Sequence, residues 1–159
     1  MVKSKYLDVI YLLILGITIG AVLVLGIMVA PVVFGSEHYL TTPWLSRFEE
    51  GKLMAEVFSR FGYLGYITVL MVLFYEIAKY KYMLIDKISM LSAIGVVATI
   101  LMFVAVYTPK ILEYQALGES AIDESFEAIH RASELDFKIM LVMLLVLFAR
   151  RAYLIASER

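Results

Sequence analysis

No cysteine occurs among the 159 residues. Disulfides, thiolate metal centres and thiol nucleophiles are therefore excluded, and the redox compartment is left open. Proline occurs three times, tryptophan once and histidine twice, so imidazole chemistry has at most two places to reside. Charge is sparse as well: Asp, Glu, Lys and Arg make up 18% of the chain and the net charge is −1. That balance gives no basic surface of the kind that draws nucleic acid. Nucleophile-elbow serines, glycine-rich phosphate loops and His-Glu-x-x-His helices are missing too, which leaves hydrolytic and nucleotide chemistry without support.

What the chain has in excess is apolar surface. It is 62% hydrophobic with a mean hydropathy of +0.87, where a soluble domain averages about 45–50% apolar. The excess lies in long runs, so the expectation is an integral membrane protein of one domain over 1–159. Lys3 and Lys5 precede the first run as in a signal peptide. Residues 9–34 are too long for a signal core and lack a small-x-small exit, which predicts an uncleaved first span.

Three more spans follow. The run 61–75, between Arg60 and Glu76, is short, and its helix is expected to begin amphipathically near 48–53. Residues 88–108 suffice unaided. Only 139–149 is free of charge after that, while crossing a bilayer takes about 20 residues. The last helix must therefore carry Glu134, Asp136 or Lys138 into the headgroup layer or deeper, with His130 just above. Ionisable residues at that depth are costly and are functional candidates for that reason.

Basic residues set the orientation. Lys3, Lys5, Lys79, Lys81, Lys87, Arg150, Arg151 and Arg159 fall on one side of a four-span chain, and eleven of the fifteen acidic residues on the other. Both termini are thus expected in the cytoplasm, the acidic loops outside, and the membrane to be a bacterial inner one. Tyr6, Tyr11, Tyr75, Tyr80, Tyr82 and Tyr153 fit an inner aromatic belt; Tyr39, Trp44, Tyr63, Tyr107 and Tyr114 fit an outer one.

A shift of 78 residues superposes the halves without a gap. Asp8 falls on Asp86, Pro31 on Pro109, Phe48 on Phe126, Glu49 on Glu127, Glu56 on Glu134 and Tyr75 on Tyr153. The expected fold is all-α: a polytopic membrane four-helix bundle made of two parallel-repeat helical hairpins, one over about 5–80 and the other over about 83–158. Ala30-Pro31 and Thr108-Pro109 read as helix exits. Gly16-x-x-x-Gly20 reads as a close-packing site. Two short, polar-entered spans brought together would leave a polar depression in the outer half.

Glu127, His130 and Glu134 share one helical face at i, i+3 and i+7, and the other repeat has Glu49, Lys52 and Glu56 there. Glu-x-x-His is the spacing by which helical bundles hold iron or manganese, so Glu127, His130, Glu134, Glu56 and Glu49 form a candidate transition-metal set. The competing reading is a solvated helix start, with Glu56–Arg60 and Glu134–Lys138 as i, i+4 ion pairs and Asp123, Glu49 and Glu127 favouring the helix dipole. His38 reads as a solvated loop residue. Met28, Met54 and Met102 are either soft ligands for copper(I) or packing. Haem, with His130 as axial ligand, lacks a second histidine at matching depth.

The run Gly26-Ile-Met-Val-Ala-Pro31-Val-Val-Phe34, Phe58-Ser-Arg-Phe61, Tyr107-Thr-Pro109 and Phe126-x3-His130-x2-Ser133 together resemble the small membrane proteins related to eukaryotic transmembrane protein 205. The resemblance implies a four-helix membrane domain, mostly of unknown function, with a eukaryotic relative linked to resistance to platinum drugs. His130 and Ser133 match the family's pattern, whereas Asp136 and Phe137 stand where members often carry an asparagine. Three functions compete on these grounds. One is a membrane protein whose outer polar pocket handles a metal cation. The second is an accessory subunit packing in a homo-oligomer or a larger membrane complex. The third is a haem protein or an enzyme using His130 as acid or base. The lipid bilayer is a partner in each.

Overall fold

A computed structural model describes residues 5–39, 45–81 and 86–157. Four helices carry nearly all of them: α1 (Lys5–Phe34), α2 (Arg47–Lys81), α3 (Lys87–Leu117) and α4 (Glu124–Ser157). Single 3-10 turns at Ser36–His38 and Glu119–Ala121 lie in the α1–α2 and α3–α4 connections. Helices of 30 to 35 residues reach about 45–52 Å at about 1.5 Å per residue. The hydrocarbon core is about 30 Å thick, so each helix is long and apolar enough to cross it and project beyond. α1 packs on α2 and α4, and α3 packs on the same two. The result is an antiparallel ring with Lys5, Lys81, Lys87 and Ser157 at one end. That end is called the terminal end below, and the opposite one the loop end.

Lipid is as apolar as leucine, so packing and backbone approach, rather than water exclusion, hold such helices together. Val9, Leu13, Ile67, Leu70, Leu91 and Val142 accordingly face outward, while Leu15, Val22, Val72, Val96, Ile100 and Leu144 fill the centre. Gly62 and Gly65 let α2 approach α3: a Cβ at either would stand 3.0 Å from Val104 or Ile100. Thr18 of α1 and Thr68 of α2 meet hydroxyl to hydroxyl at 2.7 Å. Each lies within reach of its own helix at Ile14 O and Leu64 O, so neither hydroxyl is stranded in the core. The Gly16-x-x-x-Gly20 site packs within the bundle, with Gly16 against Phe148 of α4 and open space beside Gly20.

Two expectations are corrected here. Pro31 and Pro109 do not end their helices. Each follows a turn widened to i→i+5 bonding, at Val24–Val29 and Phe103–Tyr107. The wider turn makes room for the pyrrolidine ring and drops the hydrogen bond that proline cannot donate. Thr108 Oγ1 then donates to Phe103 O at 2.9 Å, and α3 continues to Leu117. Tyr11 and Tyr75 are not belt residues: both are wholly buried. Tyr6, Tyr80 and Tyr153 at the terminal end, and Tyr39 and Tyr63 towards the loop end, are exposed as an interfacial ring would be. Lys3, Trp44, Tyr82 and Arg159 lie outside the described residues.

Buried positions recur between helices. Tyr11, Leu15, Thr18 and Val22 of α1 are buried, and so are Ser89, Ala93, Val96 and Ile100 of α3, their counterparts in the gapless register. For α2 and α4 the matching set lies one residue further along: Met54, Phe61 and Val72 against Ser133, Met140 and Arg151.

Candidate functional site

Towards the loop end the helices do not close on one another, and a cavity of about 820 Å³ opens between all four. Its floor is aromatic. Phe103 and Phe137 lie 5.0 Å apart, Phe58 sets its edge against both at 5.2 and 5.4 Å, and Phe61 supports them from below. Gly26, Ile27 and Ala30 of α1 and Met54 and Ala55 of α2 make apolar walls. Three polar side chains in the walls are buried: Thr108, Gln115 and Ser133. The Thr108 and Ser133 hydroxyls donate to carbonyls of their own helices, Phe103 O and His130 O. The Gln115 amide faces Gly51 of α2. Exposed residues of the lining include Ile27 on α1, Arg47 on α2, Glu119 in the α3–α4 connection, and Glu127, Arg131, Glu134 and Lys138 on α4.

The predicted site residues divide. Glu127, His130 and Glu134 all line the cavity, as the shared helical face requires. His130 Nε2 stands 3.3 Å from Glu134 Oε1, and its ring stacks on Phe126 at 5.9 Å. Glu134 also reaches Lys138 at 3.9 Å. The α2 residues do not join them. Glu49 is exposed and belongs to a capping box: it accepts from Ser46 N at 2.7 Å while its own N–H donates to Ser46 Oγ. Glu56 is exposed and held by Arg60 at 2.8 Å. Among the described residues no three His, Asp or Glu side chains are placed to hold a metal ion. Glu49 and Glu56 are exposed and stand apart from Glu127, His130 and Glu134. Met54 is core, Met28 and Met102 are exposed, and His38 sits in the loop beside Glu37.

Sequence reasoning missed two groups. Glu50, next to the capping glutamate, is the buried acid of the loop end. It accepts from Ser36 Oγ, and Arg47, 3.3 Å away, also donates to Phe34 O. The larger group lies at the terminal end. The rings of Tyr11 and Tyr75 stack at 3.8 Å, and each hydroxyl donates to an acid on the other's helix. Tyr11 reaches Glu76 at 2.9 Å and Tyr75 reaches Asp8 at 2.6 Å. Arg151 of α4, 2% exposed, grips both oxygens of Glu76, and Lys79 holds Asp8 at 3.1 Å. Two acids and two bases cancel, and every member has a partner. A tyrosine and an acid 65 or 67 residues apart, in two different spans, leave no mark in periodicity; only the lone basic and acidic residues flanking the spans hinted at it.

Nearby, Asp86 caps α3, accepting from Ile88 N and from the backbone and hydroxyl of Ser89. Partial burial pushes its carboxyl up, but those bonds and Arg150 at 3.2 Å outweigh it and hold the group below the ordinary aspartate range.

These features define a polytopic helical membrane protein with an internal cavity. The chain belongs to the family described as a domain of unknown function, DUF4149, which it matches over residues 13–120. The match takes in α1 to α3 and stops before the Phe126-x3-His130-x2-Ser133 segment. No curated protein and no solved structure matches the chain.

Proposed function

We propose that this small integral membrane protein binds an amphipathic molecule drawn from the surrounding bilayer. One observation carries the reading: a large cavity between the four helices, with apolar walls and an aromatic floor. Its size falls within the usual range for organic ligands, about 300–1,000 Å³, and apolar lining with a few polar groups is their common setting. The apolar body would rest on Phe58, Phe103 and Phe137. The polar end would meet the His130–Glu134 pair and Lys138, with Gln115 as an orienting amide. A transition metal would keep only His130 and Glu134, with Glu127 beside them, from the predicted set.

The two hairpins are read as a duplication, supported by the recurring buried positions. Lys5, Lys79, Lys81, Arg150 and Arg151 gather at the terminal end, which supports placing both termini in the cytoplasm and the cavity in the outer half. Native mass spectrometry of protein released from lipid nanodiscs tests the reading, with elemental analysis and an absorbance spectrum of the same sample. An amphiphile retained by the wild type and lost from Ala55→Phe, which fills the cavity, is the expected result. A stoichiometric metal lost in His130→Ala/Glu134→Ala, or a haem band, would replace it. Nothing bound would leave the accessory-subunit reading in its place.

A further inference from the structure

A second depression, a groove of about 270 Å³, opens outward between α2 and α3 in the half of the bundle nearer the terminal end. It shares no lining residue with the cavity. Leu73 and Ile77 of α2 and Met90, Ala93, Ile94 and Ala98 of α3 line it, and all but Ala93 are exposed. Glu76 lines it too, with its carboxylate held by Arg151 and Tyr11, so what the groove offers is apolar surface. From Met90 to Ala98 it runs about 12 Å at about 1.5 Å per residue. One leaflet holds a similar depth of hydrocarbon, half of about 30 Å.

The end of the groove nearest the terminal end is basic. Lys81 follows Ile77 at i+4 on α2, and Lys87 precedes Met90 by three residues on α3, so each extends the lining face of its helix by one turn. Both are exposed. Neighbouring bases are engaged: Lys79 with Asp8, Arg150 with Asp86 and Arg151 with Glu76. Neither Lys81 nor Lys87 pairs with an acid among the described residues, and the sequence from 82 to 85 contains none. Lys87 is the last charge before an uncharged run that reaches Lys110. Tyr80, beside Lys81, is exposed, as aromatic residues at the headgroup level are.

We infer that the α2–α3 groove holds one anionic phospholipid, with an acyl chain along Leu73, Ile94 and Ala98 and the phosphate between Lys81 and Lys87. Apolar contact alone would seat the tail of any lipid. The two lysines add the selection, because bases at a membrane surface draw lipids of net negative charge. The site stands on the seam between α2 and α3 and does not depend on what the cavity holds.

Native mass spectrometry of the full-length protein, released from nanodiscs of equal phosphatidylglycerol and phosphatidylethanolamine, tests it. The expected result is one phosphatidylglycerol per chain, retained in preference to phosphatidylethanolamine by the wild type and by Ala55→Phe alike. Lys81→Gln/Lys87→Gln should lower that preference by roughly tenfold or more, at about fivefold per lysine. Ala98→Phe, at an exposed position of the groove, should displace the bound lipid without disturbing the core. Equal retention of the two lipids by the wild type, or a preference unchanged in the double lysine variant, would overturn the inference. Loss of the phosphatidylglycerol in Ala55→Phe would assign it to the cavity and overturn it as well. So would a lipid-free dimer that Ala98→Phe separates, since the groove would then belong to a second copy of the chain.

Discussion

The two ends of the bundle solve the problem of polar groups in a membrane in opposite ways. At the terminal end Asp8, Tyr11, Tyr75, Glu76, Lys79 and Arg151 satisfy one another and tie α1, α2 and α4 into one unit. Towards the loop end the pairs that Glu134 makes with His130 and Lys138 are half exposed, at the rim of a cavity. A closed network resists opening because removing one member strands another. An open one leaves donors and acceptors for something else. One end of the protein is built to hold still and the other to receive.

Arg151→Met is the most severe way to break that contrast. It strands Glu76 in the core, and loss of one partner of a buried pair costs about 3–5 kcal/mol. Unfolding in mixed micelles should show it. Next in size is Tyr11→Phe, which removes one hydrogen bond to a charged acceptor and should cost about 1–3 kcal/mol by the same measurement. Neither change should alter what the cavity retains, and a loss of ligand in either would undo the separation of the two ends.

Asp86→Asn sharpens the comparison through pH. The carboxyl is depressed in the folded state, so its contribution is complete above the unfolded value of about 3.9. It fades as pH falls past that value and is gone below the folded one. Wild-type stability should therefore fall on acidification, and the acid limb should be shallower in Asp86→Asn; parallel curves would mean the cap does not titrate in that window. Smallest of all is Glu134→Gln. Its pairs with His130 and Lys138 are half exposed, and such pairs contribute little. Stability should be unchanged, while retention of a polar-headed ligand should drop.

Much of this was legible beforehand, and the reasons are physical. Span number and limits follow from hydropathy and charge, which act on each segment alone, and the four helices lie where those runs placed them. The shared face of Glu127, His130 and Glu134 follows from helical periodicity. What periodicity does not give is the rotation of one helix against another. That rotation turns Glu49 and Glu56 outward and brings Tyr11 onto Tyr75. The Ser46-x-x-Glu49 capping box was readable and would have removed Glu49 from the metal set. The prolines misled because a widened turn upstream, invisible in composition, lets a helix run through them.

Those widened turns at Val24–Val29 and Phe103–Tyr107 have a mechanical meaning. Each stores one extra residue within a helix beside the cavity. Tightening such a turn to regular geometry would rotate all that follows by about 100°, the angle of one residue. In α3 the part beyond the turn bears Thr108, Ile111 and Gln115, and in α1 it bears Ala30 and Phe34, all of them cavity-lining. A regular helix at either place would therefore present a different set of side chains to the cavity.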